Sequence, residues 1–288
     1  MKLLRTKFKR QDRNLFAPLF TATLSVLTLT TWVQVEAVGE EKAGQKWPAN
    51  HRVSYAQIDH SVYDRLLKKY VDNNGMVNYR NWYTNTADRA ELKNYLAELG
   101  KADESKHAGK SEKLAYWINA YNALTIEGIL RVYPTTSIRN HTAKLIGYNI
   151  WKNLKLTTGG QEVSLEQIEH QILRKMNEPR IHFAIVCASM GCPRLLNEAY
   201  LPDRLESQLV SNTRDFFSRP QNLRVDAHNK KLLLSSILTW FGSDFGKSKI
   251  DQLRYIAPYF PDDAKRLVSA GGYRIEFQKY DWDLNTQN

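Results

Sequence analysis

Cysteine is nearly absent: Cys187 and Cys192 are the only two in 288 residues. That excludes a scaffold built on disulfides. No His-Glu-x-x-His helix, serine nucleophile elbow or phosphate loop occurs. None of the seven histidines stands at metal-ligand spacing from another, so neither a metal nor a cofactor is expected. Asp72-Asn73-Asn74-Gly75 opens like a calcium loop but lacks the spaced oxygen ligands ending in Glu. A basic helix, a ribonucleoprotein-type aromatic motif and zinc-finger spacing are all missing, so nucleic acid is not an expected partner. There is no internal repeat and no low-complexity tract.

Long apolar runs are scarce as well, and the one that stands out lies near the start. Residues 1–14 are strongly basic, residues 15–35 are uncharged and largely apolar or small, and Val35-Glu36-Ala37 presents small or aliphatic side chains at the −3 and −1 positions of a cleavage site. That order reads as a secretory signal peptide over residues 1–37. The alternative is an uncleaved anchor formed by residues 15–35. Either way the expected location is exported, periplasmic or extracellular, with membrane contact only through this segment if it stays uncleaved. Residues 38–52 read as a polar linker and residues 53–288 as a single globular domain.

The net charge is +11. Residues 1–37 hold six basic and two acidic side chains, which leaves 35 basic against 28 acidic, a balance of +7 for the remainder. A moderate positive balance fits an anionic envelope polymer or peptide as partner.

Periodicity predicts helices over residues 55–70 and 85–100. Glu112 to Leu124 is apolar on nearly every face, which predicts a buried helix over 112–132 that stops before Pro134. It carries Asn119 and Asn122 one turn apart. Buried carboxamides need partners, so they either tie loops to the core or line a site. Residues 151–158 predict a strand, Gly159-Gly160 a hairpin turn, and Ser164-Leu165-Glu166-Gln167 a capping box that opens a helix to about Met176. The apolar run from His182 to Cys187 reads as a central strand. A helix over 203–217, a hairpin over 223–234, a helix over 246–257 and a strand over 273–277 complete the expected α+β fold: a small central sheet packed by several helices around helix 112–132.

Chemistry is expected where three features lie close in sequence: Glu169 and His170 on one helix, His182 at the start of the apolar run, and Cys187 at its end. A thiol beside a turn of small residues, with free backbone N–H groups for an oxyanion and a nearby imidazole, has the parts of a cysteine nucleophile. Cys187 is the nucleophile in that reading, His170 or His182 the base, and Glu169 or Asn119 the orienter. Other readings stay open. Cys187 and Cys192 pair as a disulfide, or both are inert core thiols, and the histidines are core or capping residues.

The helix Glu112 to Leu124, the block Val163 to Arg174, the block Pro179 to Pro193, and the residues Leu234-Ser235 through Trp240-Phe241 with Asp244-Phe245 resemble the family catalogued as domain of unknown function 547, bacterial exported type. The resemblance is strongest over residues 108–246. It implies a mixed α/β domain, often exported in bacteria, and carries no established catalytic residues. Plant members keep cysteine at the position of Cys187 and often have serine at that of Cys192, which implies that any shared chemistry belongs to Cys187. The expected function is an envelope or extracellular binding module; the alternative is a thiol-dependent hydrolase or transferase acting on an amide or ester with Cys187 as nucleophile.

Overall fold

A computed structural model describes residues 41–143 and 148–287. The signal-peptide and anchor readings of residues 1–37 lie outside the described residues. Among the described residues, no helix is long and apolar enough to cross a membrane.

Helix Lys110–Val132 forms the axis of the fold, and every residue from Leu114 to Leu130 along it is buried. Its start lies two residues before Glu112: the Glu112 carboxylate reaches back to accept from the Gly109 N–H. Its end follows from Pro134, which has no N–H to continue the ladder. A helix buried on all sides needs apolar neighbours all round. Aromatic pairs fill the common core, with Tyr63 stacked on Tyr95 at 4.8 Å, Tyr70 on Trp82 at 4.6 Å, and Phe183 against Phe216 and Phe217 at 4.7 and 5.1 Å.

The class is α+β as expected, with the strands divided between two three-stranded sheets. In the first, Leu154–Thr158 pairs antiparallel with Gln161–Ser164 and parallel with Glu41–Gly44. The hairpin turns at Gly159 and Gly160, both at positive φ, as a two-residue connection between twisted strands requires. In the second, Lys231–Leu234 lies between Leu223–Asp226 and Arg274–Phe277.

Two expectations are corrected. Residues 41–52 are part of the fold and not a loose linker. Glu41–Gly44 is an edge strand, and the Trp47 indole donates to the Ala97 carbonyl at 2.7 Å. The run His182 to Cys187 is not a strand either. Pro179–Phe183 is a 3-10 turn, Ala184 is a turn residue, and residues 185–187 belong to no strand. Side-chain amides take the place of neighbouring strands. Asn122 Nδ2 donates to the Ala184 carbonyl at 3.0 Å, the Val186 N–H donates to Asn122 Oδ1 at 2.9 Å, and Asn212 Nδ2 donates to the Phe183 carbonyl at 2.7 Å. Apolar side chains and satisfied backbone groups are common to both arrangements, so the run looks the same in sequence either way.

The expected helix after Ser164 does form, with its capping box, but it changes pitch. Leu165–Gln167 is α, Ile168–Ile172 is a π turn and Leu173–Met176 is 3-10. Such π turns recur at functional sites, and this one carries Glu169 and His170.

The last residues hold the candidate site in place. Ser189 bridges antiparallel to Leu284, the Met190 and Gly191 N–H groups donate to the carbonyls of Asp283 and Asp281 at 2.8 Å, and the Val77 N–H donates to the Asn285 carbonyl at 2.9 Å. The tail thus stitches the cysteine turn to the residues near Val77 and brings Tyr280 and Trp282 alongside.

Candidate functional site

Cys187 is half-buried and opens into a pocket of about 140 Å³, while Cys192 is buried. Six aromatic side chains line the pocket: Tyr121, Trp151, Trp240, Phe241, Tyr280 and Trp282. Glu169 and His182 line it too.

The turn between the cysteines is sharp. Ala188 sits at φ +57°, a left-handed conformation that costs a side-chain-bearing residue about 1–2 kcal/mol. The Asn285 N–H donates to its carbonyl at 3.2 Å and helps hold it there. At Gly191 any Cβ would come within 2.9 Å of the Asp281 carbonyl oxygen and of the Tyr280 ring, so only glycine admits the tail this close.

The two sulfurs end 2.7 Å apart as free thiols. The Cys187 N–H donates to Cys192 Sγ at 3.0 Å. Ser189 Oγ lies 3.2 Å from Cys187 Sγ and 3.3 Å from Cys192 Sγ, and Tyr280 Oη lies 3.3 and 3.1 Å from the same two atoms. Burial pushes the Cys192 thiol up, but the hydrogen bonds from Cys187, Ser189 and Tyr280 outweigh it and bring the group to about 6. Cys187 is held well above the ordinary thiol range, first by its hydrogen bond to Cys192 and then by burial. The two behave as one titrating unit that keeps a single proton between the sulfurs near neutral pH. Burial, and then the two sulfurs, keep the Tyr280 phenol well above its ordinary value, so it remains a donor.

Polar groups occupy the opposite wall. Tyr121 Oη donates to Glu169 Oε2 at 3.2 Å. Burial pushes the Glu169 carboxyl up against the pull of His170, Tyr121 and Arg174. His182 Nε2 lies 2.8 Å from Asp244 Oδ2, and Arg174 clamps Asp244 with two bonds of 2.7 Å. Phe241 stacks on the His182 ring at 4.2 Å. Burial outweighs the pull of Asp244 and brings His182 down to about 4, so its imidazole is neutral at pH 7. The Arg174 clamp first, and His182 after it, bring Asp244 to about 2.

Of the residues singled out from sequence, Cys187, Glu169 and His182 meet in this pocket. His170 is exposed, 3.2 Å from Arg174, and is not part of the lining. Asn119 is buried in the core, where both ends of its amide bond the Tyr200 backbone at 2.8 and 2.9 Å. The sulfur of Cys187 contacts a thiol and two hydroxyls; no hydrogen bond joins it to an imidazole. The expected oxyanion donors are occupied, because the N–H groups of Met190, Gly191 and Cys192 all bond backbone carbonyls. Among the described residues no cluster of three His, Cys, Asp or Glu could hold a metal. The sequence reading missed Ser189, Asp244, Tyr280 and the three tryptophans as site residues.

No curated protein and no solved structure matches the chain. Residues 105–217 match the family described as protein of unknown function, DUF547. That stretch spans the buried helix, the π turn and both cysteines but not Asp244, Tyr280 or Trp282. The match supports the DUF547 family for this chain.

Proposed function

We propose that this chain is an exported binding module of the bacterial envelope or extracellular space, and that the pocket beside Cys187 receives a flat or apolar group of an anionic polymer or peptide. Trp240 carries this reading. It is 47% exposed at the pocket rim, yet it is fixed by stacking on Trp282 at 5.8 Å and by Tyr280 at 4.8 Å. A large aromatic held rigid in water gains by being covered at little conformational cost, as binding hot spots do. Arg139 stands over Trp282 at 5.1 Å and favours a ligand that also carries negative charge, whereas Arg174, over Phe241 at 5.4 Å, is already paired with Asp244.

The test is titration of the purified chain with acidic aromatic peptides and with anionic cell-wall glycan fragments, followed by tryptophan fluorescence. The expected result is saturable quenching by one of them, weakened about tenfold or more in Trp240→Ala. Fluorescence that no probe moves, or binding untouched by Trp240→Ala, overturns the reading. Export rests on the N-terminal pattern, and cell fractionation checks it.

A second reading, Cys187 as nucleophile of a hydrolase or transferase acting on an amide or ester, draws on one observation: His182, oriented by Asp244, lines the same pocket. It requires that an activated ester acylate Cys187 and that His182→Ala slow this by about a hundredfold, the usual weight of a general base. Equal acylation of both proteins removes it.

A further inference from the structure

We propose that Cys187 and Cys192 form an exchange-active dithiol that reduces disulfides presented at the aromatic pocket. The inference goes beyond ligand binding and does not rest on it.

The sulfurs are already in contact, and the backbone that holds them is tied on both sides. Asn122 fixes the strandless approach to Cys187 through Ala184 and Val186, and the C-terminal tail bonds Met190 and Gly191. Closing 2.7 Å to the ~2.05 Å of a disulfide brings the sulfurs together by less than about 1 Å. The two thiols differ in access. Cys187 is half-buried and Cys192 is 7% exposed, and both line the pocket. An open sulfur with a buried partner in reach is the arrangement that lets one thiol attack and the other resolve.

The Cys187 proton passes to the adjacent Cys192 sulfur, and the Cys187 thiolate attacks one sulfur of a substrate disulfide. A mixed disulfide forms on Cys187, and the other half of the substrate leaves as a thiolate that takes up a proton. Cys192, relieved of its proton through the Ser189 and Tyr280 hydroxyls, then attacks the Cys187 sulfur. The internal disulfide forms and the second half of the substrate departs as a thiol. The substrate gains two electrons and two protons; the sulfur pair supplies both electrons and its one shared proton, and solvent supplies the second proton. Run backwards, the oxidised pair oxidises a dithiol. The aromatic walls select a disulfide with apolar flanks.

The experiment uses hydroxyethyl disulfide, which is too small and polar to need the aromatic rim, on the reduced full chain, read by intact mass. Wild type is expected to lose two hydrogens and retain no adduct. Cys192→Ser and Cys192→Ala are expected to keep one hydroxyethylthio adduct on Cys187, and Cys187→Ser to stay unmodified. The two Cys192 variants guard against one failing to fold, and a urea midpoint checks each. An adduct that wild type keeps, reaction of Cys187→Ser, or silence of the wild-type thiols until denaturant is added overturns the proposal. Exchange with this probe is read by mass and ligand binding by fluorescence, so either can fail without the other.

Discussion

Between pH 7 and pH 4 the fold is expected to lose about 6 kcal/mol, roughly 3 from each of two buried histidines. His60 is 7% exposed and its Nδ1 lies 2.7 Å from the Tyr95 hydroxyl. Burial brings it down to about 4, and nearby Asp59 offsets only part of this. His182 is 3% exposed and is brought to the same value by burial against the pull of Asp244. Both folded values lie below the ~6.5 of an unfolded histidine. Inside that window the unfolded chain binds protons that the folded chain refuses. The stabilisation is complete above about pH 6.5, falls as the pH is lowered, and is gone near pH 4. Carboxylates act lower. Asp244, held at about 2, gives up its contribution only as the pH falls below about 4. Six kcal/mol is a large part of the 5–15 kcal/mol that keeps a domain folded. Urea unfolding at pH 7, 5.5 and 4 measures the loss, and His60→Gln should remove about half of the slope. A stability that stays level from pH 7 to pH 4 would sink the argument.

The parts of the fold legible in the sequence are those whose signal is local. Glu112 to Leu124 announces a buried helix because nearly every face of it is apolar, and Lys110–Val132 is that helix. Ser164 and Gln167 form the capping box that their spacing foretells, with bonds of 2.9 and 3.2 Å. Helix Asp262–Ala270 was legible in principle, since Pro261 and two acidic residues mark its start. Tyr79–Thr84, Ile237–Trp240 and Gly242–Phe245 are too short for a period to be counted. The apolar run at His182 misleads because its hydrogen-bond partners, Asn122 and Asn212, lie some 62 and 29 residues from the backbone groups they satisfy. The candidate site divides the same way. Glu169, His182 and Cys187 lie close in sequence and share one pocket. His170 is adjacent to Glu169 yet leaves the pocket, because successive residues of a helical turn face different ways. Tyr280 and Trp282 carry no motif. They belong to the site only because the tail pairs with Ser189, a contact that nothing near either residue encodes.

Asn122→Ala is expected to destabilise the protein by about 2–5 kcal/mol and to disable the dithiol as well. The side chain is 2% exposed and both ends of its amide are engaged, one with the Ala184 carbonyl and one with the Val186 N–H. Alanine recovers a few tenths of a kcal/mol of helix propensity, but it strands two buried backbone groups at roughly 1–3 kcal/mol each. Asn119→Ala serves as the control. It strands the N–H and carbonyl of Tyr200 in the same manner on the same helix, so its loss of stability should be similar. The two variants differ in what they release. Asn122 holds the residues that run directly into Cys187, and without it the Cys187 sulfur is no longer pinned against Cys192. Asn119 holds Tyr200, outside the pocket lining. The expected outcome is two similar falls in the urea midpoint, with slowed exchange and retained adduct in Asn122→Ala alone. A loss under about 0.5 kcal/mol in Asn122→Ala would mean that water or a backbone shift replaces the amide. Equal changes of thiol reactivity in both variants would mean that the turn is set by overall stability, and that Asn122 does not position the sulfur.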